Sequence, residues 1–147
     1  MAAFLWPVRV YYEDTDAGGV VFHSNYLNFL ERGRTEWLRT LGLEQDRLSR
    51  IDGIIFVVRH ITIDFVRSAR FNQCLLVEVS VSHANRLSVE FTQRILLQNG
   101  DGAEPHADAD NVVCRAQVKI VTLDAETLRP QRMPNSIYAE IKRGHGS

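Results

Sequence analysis

The segment from Ser24 to Leu41 constrains the fold of this chain more than any other, because it carries one long helical periodicity. Its apolar and small side chains recur every three or four residues and form one stripe, while most of its charged side chains lie off that stripe. The stripe consists of Tyr26, Leu27, Leu30, Gly33, Trp37, Leu38 and Leu41, and the residues largely off it are Glu31, Arg32, Arg34 and Glu36. Ser24 or Asn25 can cap the first free N–H groups, and Gly42 suits the left-handed residue that ends a helix. We therefore predict a single amphipathic helix, roughly 25 Å long.

Most of the remaining sequence alternates between apolar and polar residues, which is the pattern of half-buried strands. The predicted strands are 8–12, 61–65, 75–82, 87–92 and 112–120, and Asn99–Pro105 is predicted to be a hairpin connection. Such strands with short links form an antiparallel sheet, and one helix of matching length can cover a face of it. The expected fold class is α+β, with five to six antiparallel strands and one long helix. Because the sheet leaves an edge strand uncovered, edge pairing between copies of the chain is its natural completion.

Composition is typical of an ordinary globular protein. The 147 residues are about one domain's worth, so we treat 1–147 as a single domain. Seventeen Lys and Arg against eighteen Asp and Glu give a net charge of -1, which provides no sequence-wide attraction for nucleic acid. The longest apolar run, Ile54–Val58, is far shorter than the roughly 20 residues of a membrane span, and no secretory signal is recognisable. Two cysteines without CxxC spacing, Cys74 and Cys114, predict reduced thiols in a cytoplasmic protein and no metal site.

The residues that could carry chemistry lie just before the predicted helix. Asp16 stands in a polar, glycine-rich loop that leads directly into the helix, whose unpaired N–H groups and dipole can stabilise an anion. Gly18 and Gly19 permit a close approach of the backbone to a ligand. A carboxylate beside oxyanion donors is what acyl transfer requires, although such a loop is also typical of a solvated turn. A calcium loop does not fit, because Asn25 occupies the position of the required glutamate.

Residues 8–26 and 29–36 resemble the YbgC-type acyl-CoA thioesterases of the 4-hydroxybenzoyl-CoA thioesterase superfamily, which have the hotdog fold. The first stretch is VRVYYEDTDAGGVVFHSNY and the second is FLERGRTE. The similarity continues through ITIDF at 61–65, the Ala69–Arg70 pair, FTQRI at 91–95 and LRPQRMP at 128–134. It therefore covers nearly the whole chain and implies a hotdog fold, in which the sheet wraps around one central helix.

The resemblance also implies which residues act. Asp16 matches the family's catalytic aspartate, either as a nucleophile towards the thioester carbonyl or as a general base for water. The backbone N–H of His23, together with that of Phe22, matches the donors that polarise the thioester oxygen, and the His23 side chain is assigned to the active site as a positioning or proton-handling group. The implied substrate-binding residues are Gly18, Gly19, Val20, Tyr26, Arg70 and Arg86, of which the two arginines are candidates for the coenzyme A phosphates.

The same resemblance implies a substrate, partners and a setting. The expected substrates are short- to medium-chain or aromatic acyl-CoA thioesters, hydrolysed to the free acid and coenzyme A without a cofactor. Family members place each site at a dimer interface, so elements around Arg59 to Arg70 would come from the partner subunit of a homodimer or homotetramer. An acyl carrier protein is a further candidate partner, and genes of relatives often accompany the Tol-Pal system. Ser68 and residues 71–73 depart from the family pattern, which leaves the pantetheine channel unassigned.

Two other functions stay open at this point. Hotdog hydratases and dehydratases pair an acidic residue with a histidine near a proline, and no proline lies between Asp16 and His23. A non-catalytic module that binds an acyl carrier or an acyl chain would keep the same groove. Structural or solvated roles are expected for His60, His83, His106 and the two cysteines, and a supporting or solvent-facing position for Glu31.

Overall fold

The computed structural model describes residues 4–98 and 111–145. The strands in these ranges are β1 (Phe4–Arg9), β2 (Ile54–Phe65), β3 (Cys74–Ala84), β4 (Ser88–Leu97) and β5 (Val112–Asp124). The helices are α1 (Asn25–Thr40), the short α2 (Gln45–Arg47) and α3 (Asn135–Gly144), with a 3-10 turn at Tyr12–Asp14 and a π-helical turn at Leu48–Asp52. No helix in the described part of the chain is long and apolar enough to cross a membrane.

The five strands form one antiparallel sheet in the order β1-β3-β4-β5-β2. Val8 in β1 lies opposite Leu75 in β3, and Phe91 in β4 lies opposite Val118 in β5. Buried and more exposed residues alternate along most of β4 and β5, because one face of the sheet packs against the core and the other faces outward. This architecture confirms the predicted α+β class, with α1 over one face of the sheet.

The strand boundaries differ from the prediction in β1, at the start of β2 and at the end of β4. β1 begins at Phe4 and ends at Arg9, so only Val8 and Arg9 of the strand predicted for 8–12 are in it. The chain then turns, and the Asp14 carboxylate accepts the N–H of Tyr11 (2.7 Å). β2 begins earlier than predicted, at Ile54, where the continuous apolar run pairs with the end of β5 without an alternating pattern. The predicted hairpin Asn99–Pro105 lies outside the described residues.

Helix α1 packs closely on β3 and β4. A Cβ atom at Gly33 would lie 2.5 Å from Cγ1 of Val77, so the helix backbone lies directly on β3. Trp37 meets the ring of Phe91 in β4 edge-on, with the ring centroids 5.6 Å apart, and Leu30 is fully buried. Burying each large apolar side chain contributes about 1.5 to 3 kcal/mol, and this burial is the main force that holds the helix on the sheet.

The predictions for the two ends of α1 differ in how they compare with the structure. Gly42 takes φ 79° after the last turn, as predicted. The prediction of a side-chain cap at the start is wrong, because Ser24 makes no capping hydrogen bond and the amide of Asn25 donates to Oδ1 of Asp14 (2.7 Å). Ser24 has helical backbone angles, whereas a capping residue needs an extended conformation to aim its hydroxyl at the first turn.

Arg34 corrects the predicted outer face of the helix. The periodicity placed it off the apolar stripe, but its exposed fraction is 7% and its Nη1 donates to Oε1 of Gln93 (3.0 Å). The Gln93 amide donates in turn to the carbonyl of Leu30 (3.0 Å). Burial lowers the pKa of Arg34, and the charge of Glu31 partly opposes that shift. This polar pair therefore ties α1 to β4 inside the core.

Helix α3 is not predicted by the sequence periodicity. Its buried residues Ile137 and Ile141 are four apart and form only a narrow stripe among polar neighbours. At its end, a Cβ added to Gly144 would lie 2.8 Å from Leu41 and 2.9 Å from Trp37. The end of α3 therefore packs against the C-terminal end of α1.

Candidate active site

Asp16 lies in a tight hairpin within the loop that precedes α1. The N–H of Asp16 donates to the carbonyl of Val20 (2.9 Å), and the N–H of Gly19 donates to the carbonyl of Asp16 (3.1 Å). Gly19 has φ 80°, a conformation that is costly for residues with a Cβ. The N–H of Phe22 donates to the carbonyl of Asp14 (3.0 Å) and closes the base of the hairpin. These hydrogen bonds thus hold the main chain of Asp16 in place.

The Asp16 carboxylate is exposed and lines a cleft of about 460 Å³, which we call the Asp16 cleft. Its Oδ1 accepts the N–H of Gly18 (2.8 Å), and a Cβ at Gly18 would lie 3.2 Å from that oxygen. The rings of Tyr12 and Phe71 meet edge-on in the same cleft, with centroids 5.8 Å apart. The other lining residues are Thr15, Ala17 and Gly19. The Asp16 cleft therefore offers a carboxylate beside an aromatic wall.

Asp14, two residues before Asp16, has a different environment. Its exposed fraction is 6%, its Oδ2 accepts the N–H of Tyr11, and its Oδ1 accepts the amide of Asn25, both at 2.7 Å. No role was predicted for Asp14 from the sequence. The sequence signal for this structural role is that Asp14 follows Tyr11 by three residues, a spacing at which a carboxylate can accept a backbone N–H.

Two backbone N–H groups are open where the loop joins α1. Within residues 4–98 and 111–145, no acceptor takes the N–H of His23 or of Ser24, whereas the N–H of Phe22 donates to Asp14. His23, and not Phe22, is therefore the candidate donor to a substrate oxygen, at the positive end of the α1 dipole. The His23 side chain is exposed, with its ring centroid 4.5 Å from that of Phe22.

The segment after β2 closes the other side of the loop. The N–H of Val21 donates to the carbonyl of Ala69 (2.8 Å), and Val20 forms an antiparallel bridge with Arg70. The N–H of Ala69 donates to the hydroxyl of Tyr26 (3.0 Å), whose pKa is raised by burial. Tyr26 is 3% exposed. The hydroxyl therefore holds the 69–70 segment against α1, and the contact of Tyr26 with substrate stays a prediction.

The two arginines suggested for the coenzyme A phosphates lie far apart within one chain. Arg70 is exposed beside the Asp16 loop, whereas Arg86 lies in the turn between β3 and β4 and donates twice to the carbonyl of Met133 (3.0 and 2.8 Å). Arg70 precedes β3 and Arg86 follows it, and the eleven residues of that strand, about 33 Å when extended, lie between them. Arg86 lines a separate cleft of about 740 Å³, whose basic residues are Arg59, Arg86, Lys119 and Arg132.

The edge strand β2 and the residue after it present apolar side chains to solvent. Val57, Val58, Phe65 and Val66 are each more than a third exposed, although β2 pairs with β5 on its other side. Apolar side chains along an unpaired edge are typical of a surface that a further strand covers. The segment Arg59–Arg70 begins on this edge and ends at the Asp16 loop.

Other reactive side chains are not gathered into a site. In the ranges that the structure describes, no group of three His, Cys, Asp or Glu side chains is placed to hold a metal ion. Cys114 is buried, which raises the pKa of its thiol to about 11, and Cys74 is half-buried. Of the remaining reactive side chains, His60 on β2, His83 on β3 and Glu31 on α1 are exposed. His106 lies outside the described residues.

An antiparallel sheet packed on one long helix, with a loop carboxylate before the helix N-terminus, is the arrangement expected of a hotdog thioesterase. The model of the thioesterase superfamily matches residues 18–104. An acyl-CoA thioester hydrolase YbgC from Escherichia coli O157:H7 is 40% identical over 141 residues, covering 95% of this chain and 96% of that protein. An acyl-CoA thioesterase YbgC from Haemophilus influenzae is 38% identical over 136 residues and covers 92% of each chain. The chain belongs to the thioesterase superfamily.

A solved structure supports the same assignment. The crystal structure of a probable thioesterase from Bartonella henselae matches with a TM-score of 0.77 and 32% sequence identity. The match covers 90% of this chain and 100% of that one. The similarity therefore extends over the whole hotdog domain.

Proposed function

We propose that this chain is an acyl-CoA thioester hydrolase that releases a free acid and coenzyme A, with Asp16 as its catalytic carboxylate. One observation carries the proposal: an exposed carboxylate lines a cleft on the hairpin that leads into the open N–H groups before α1. The relatives named as acyl-CoA thioester hydrolases match the chain almost from end to end and support the same activity.

The backbone N–H of His23 stabilises the transition state in this proposal. When the thioester carbonyl is attacked, its oxygen becomes negative and needs donors that are already in place. The N–H of His23 is unpaired within the described residues and lies at the positive end of the α1 dipole. One such preorganised donor is worth about 3 to 4 kcal/mol of activation free energy. The His23 side chain is exposed nearby and is assigned to substrate positioning or proton handling.

Asp16 can act by two routes. As a nucleophile, it attacks the thioester carbonyl, expels the coenzyme A thiolate and forms a mixed anhydride that water then cleaves. As a general base, it takes a proton from the water that attacks the carbonyl directly. In both routes the thiolate takes up a proton and the carboxylate is regenerated, so no cofactor is needed. A single turnover in heavy-oxygen water tests the choice, because only the nucleophilic route can place the label on Asp16.

The proposed substrates carry short- to medium-chain or aromatic acyl groups. Tyr12 and Phe71 supply an apolar wall beside Asp16, which suits such groups better than strongly polar ones. Gly18, Gly19 and Val20 would contribute backbone to the binding surface. Arg70 and Arg86 are proposed for the coenzyme A phosphates, and the basic cleft around Arg86 suits an anion.

We further propose that the active form is a homo-oligomer. The exposed apolar edge of β2 supports pairing with a second copy, which would bring the segment Arg59–Arg70 of the partner next to the Asp16 cleft. A dimer completes the edge, and a homotetramer would pair two dimers. A cytoplasmic location, an acyl carrier protein as a further partner and a link to the Tol-Pal system belong to the same proposal through the family resemblance.

A panel of acyl-CoA thioesters with a thiol reagent tests the activity. We expect the wild type to release free thiol, and Asp16→Asn to lower kcat by roughly 10²- to 10⁴-fold, because an amide neither attacks the carbonyl nor accepts a proton from water. Asp46→Asn is the matched control, because Asp46 is an exposed carboxylate on the short helix α2. Its Oδ2 lies 4.0 Å from Nη2 of Arg50 in the following turn. The control should keep the wild-type rate.

The same panel separates the alternatives. A hotdog hydratase would hydrate an unsaturated acyl-CoA without releasing thiol, and a module that binds an acyl carrier would do neither. Absence of thiol release from every thioester would overturn the proposed activity. Wild-type rates for Asp16→Asn on every thioester that the parent hydrolyses would overturn the role of Asp16.

A further inference from the structure

A buried carboxylate lies next to the proposed catalytic residue, and the proposed mechanism does not use it. Asp14 has an exposed fraction of 6%, and among the described residues no Lys, Arg or His side chain forms an ion pair with it. A buried charge is unfavourable unless hydrogen bonds compensate it. Here both oxygens are satisfied by neutral donors, the N–H of Tyr11 and the amide of Asn25, each at 2.7 Å.

These hydrogen bonds join the parts whose relative position decides the proposed chemistry. Asp14 begins the arm of the hairpin that carries Asp16 two residues later, and its carbonyl accepts the N–H of Phe22, next to His23 (3.0 Å). Its carboxylate reaches Asn25, the first residue of α1. Oδ1 of Asn25 also accepts the amide of Asn28 (2.6 Å), which orients the Asn25 side chain. Asp14 therefore contacts both the loop that holds the carboxylate and the helix start that holds the donor.

We propose that Asp14 and Asn25 are a pair of positioning residues, which we call the Asp14–Asn25 clamp, and that the clamp sets the place of the Asp16 carboxylate relative to the N–H of His23. This inference rests on the proposed function. The clamp does not touch substrate, so it acts on kcat through geometry and leaves substrate binding nearly unchanged. Displacement of a catalytic group by about 1 Å can cost about 10²-fold in rate, which is the scale on which the clamp acts.

An exchange of the two side chains tests the clamp. Asn25→Asp places a carboxylate against the Asp14 carboxylate and breaks the 14–25 hydrogen bond. Asp14→Asn places an amide where two donors converge, and it keeps both hydrogen bonds only if the amides of Asn25 and Asn28 both turn over. The double variant Asp14→Asn with Asn25→Asp restores both. In that variant the new amide at position 14 would donate to the new carboxylate at position 25 and accept the N–H of Tyr11. The new carboxylate would still accept the amide of Asn28.

We expect each single variant to lower kcat at least 10-fold with KM changed less than 3-fold, measured on folded protein below its unfolding temperature. The double variant should recover kcat to within about 3-fold of the wild type. A role in stability alone would lower the Tm of the single variants and leave kcat per folded molecule unchanged. Asp46→Asn, which removes an exposed carboxylate, is the control and should change neither quantity.

A second measurement does not depend on turnover. The N–H of Gly18 donates to Oδ1 of Asp16, so its hydrogen exchange, followed by NMR, reports the order of the loop. We expect exchange at Gly18 to quicken in each single variant and to return towards the wild-type rate in the double variant. Unchanged Gly18 exchange with wild-type kcat in the single variants would overturn the clamp, and so would a double variant no better than the singles. If the wild type hydrolyses no thioester, the proposed function fails and the Gly18 exchange alone decides the clamp.

Discussion

At the scale of single residues, environment separates side chains of the same type. Asp14 and Asp16 are two positions apart, yet Asp14 is buried and satisfied by two neutral donors, while Asp16 is exposed in a cleft with one hydrogen bond to Gly18. The first is suited to hold structure and the second to meet a substrate. The two cysteines also differ in burial, since Cys114 is buried and Cys74 is half-buried.

Cys114 gives a prediction about pH. Burial raises the pKa of its thiol from 9.0 to about 11, so between these values the unfolded chain loses a proton that the folded chain keeps. This contribution to stability is complete below about pH 9 and is lost as the pH rises towards 11. We expect the free energy of unfolding, measured with urea, to fall more steeply over this range in the wild type than in Cys114→Ala. Equal slopes in the two proteins would contradict the assignment.

At the scale of elements, the contact between α1 and β3 depends on the absence of a side chain. Gly33 lies in the middle of α1, where glycine is about 1 kcal/mol worse than alanine. The structure gives the compensating reason, since a Cβ at this position would lie 2.5 Å from Val77. Close packing of the helix on the sheet therefore outweighs helix propensity at this position.

Gly33→Ala should consequently destabilise the protein. The gain in helix propensity is about 1 kcal/mol, and forcing a methyl group into a packed contact costs typically about 1 to 3 kcal/mol, so we expect a net loss of about 1 kcal/mol. Denaturant unfolding measures the loss. Val77→Ala removes the 2.5 Å contact and leaves Cγ2 of Val79 at 3.1 Å, so Gly33→Ala should cost less in that background. An equal loss in both backgrounds would show that the contact with Val77 is not the cause.

At the scale of the whole molecule, the sheet has an edge that its own chain leaves open. β1 is six residues long, whereas β2 is twelve residues long and carries or adjoins the four exposed apolar side chains Val57, Val58, Phe65 and Val66. A long apolar edge is a template for another strand. The proposed homo-oligomer follows from this asymmetry between the two edges.

A charge at the β2 edge should separate the copies. We expect Val58→Lys to shift the sedimenting species towards a single 16.8 kDa chain and to lower thioesterase activity, because burying a lysine at an apolar interface is costly. Ile51→Lys changes an exposed apolar residue of the turn before β2 and is the control, which should keep the wild-type mass. A wild type that sediments as one chain would contradict the proposed assembly.

Much of the fold could be predicted because it depends on local periodicity. The stripe from Tyr26 to Leu38 predicts α1, and the alternation in 75–82 and 112–120 predicts β3 and β5, since each pattern is set by neighbours in sequence. The strand predicted for 8–12 was misplaced because a carboxylate three residues further on competes for the N–H of Tyr11. Helix α3 was missed because two buried isoleucines are too few to give a clear period.

The α+β class, the long helix and the Asp16 loop before it follow from local sequence, because spacing and glycine content act over a few residues. Which polar groups are buried depends on the three-dimensional packing. Arg34 lies in the core because Gln93, distant in sequence, accepts its hydrogen bond. The hydroxyl of Tyr26 accepts the N–H of Ala69 because the segment after β2 folds back to it. The same long-range packing buries Asp14 against Asn25 and leaves Asp16 open to the cleft. The burial of these polar side chains depends on partners far apart along the chain, so no local sequence pattern predicts it.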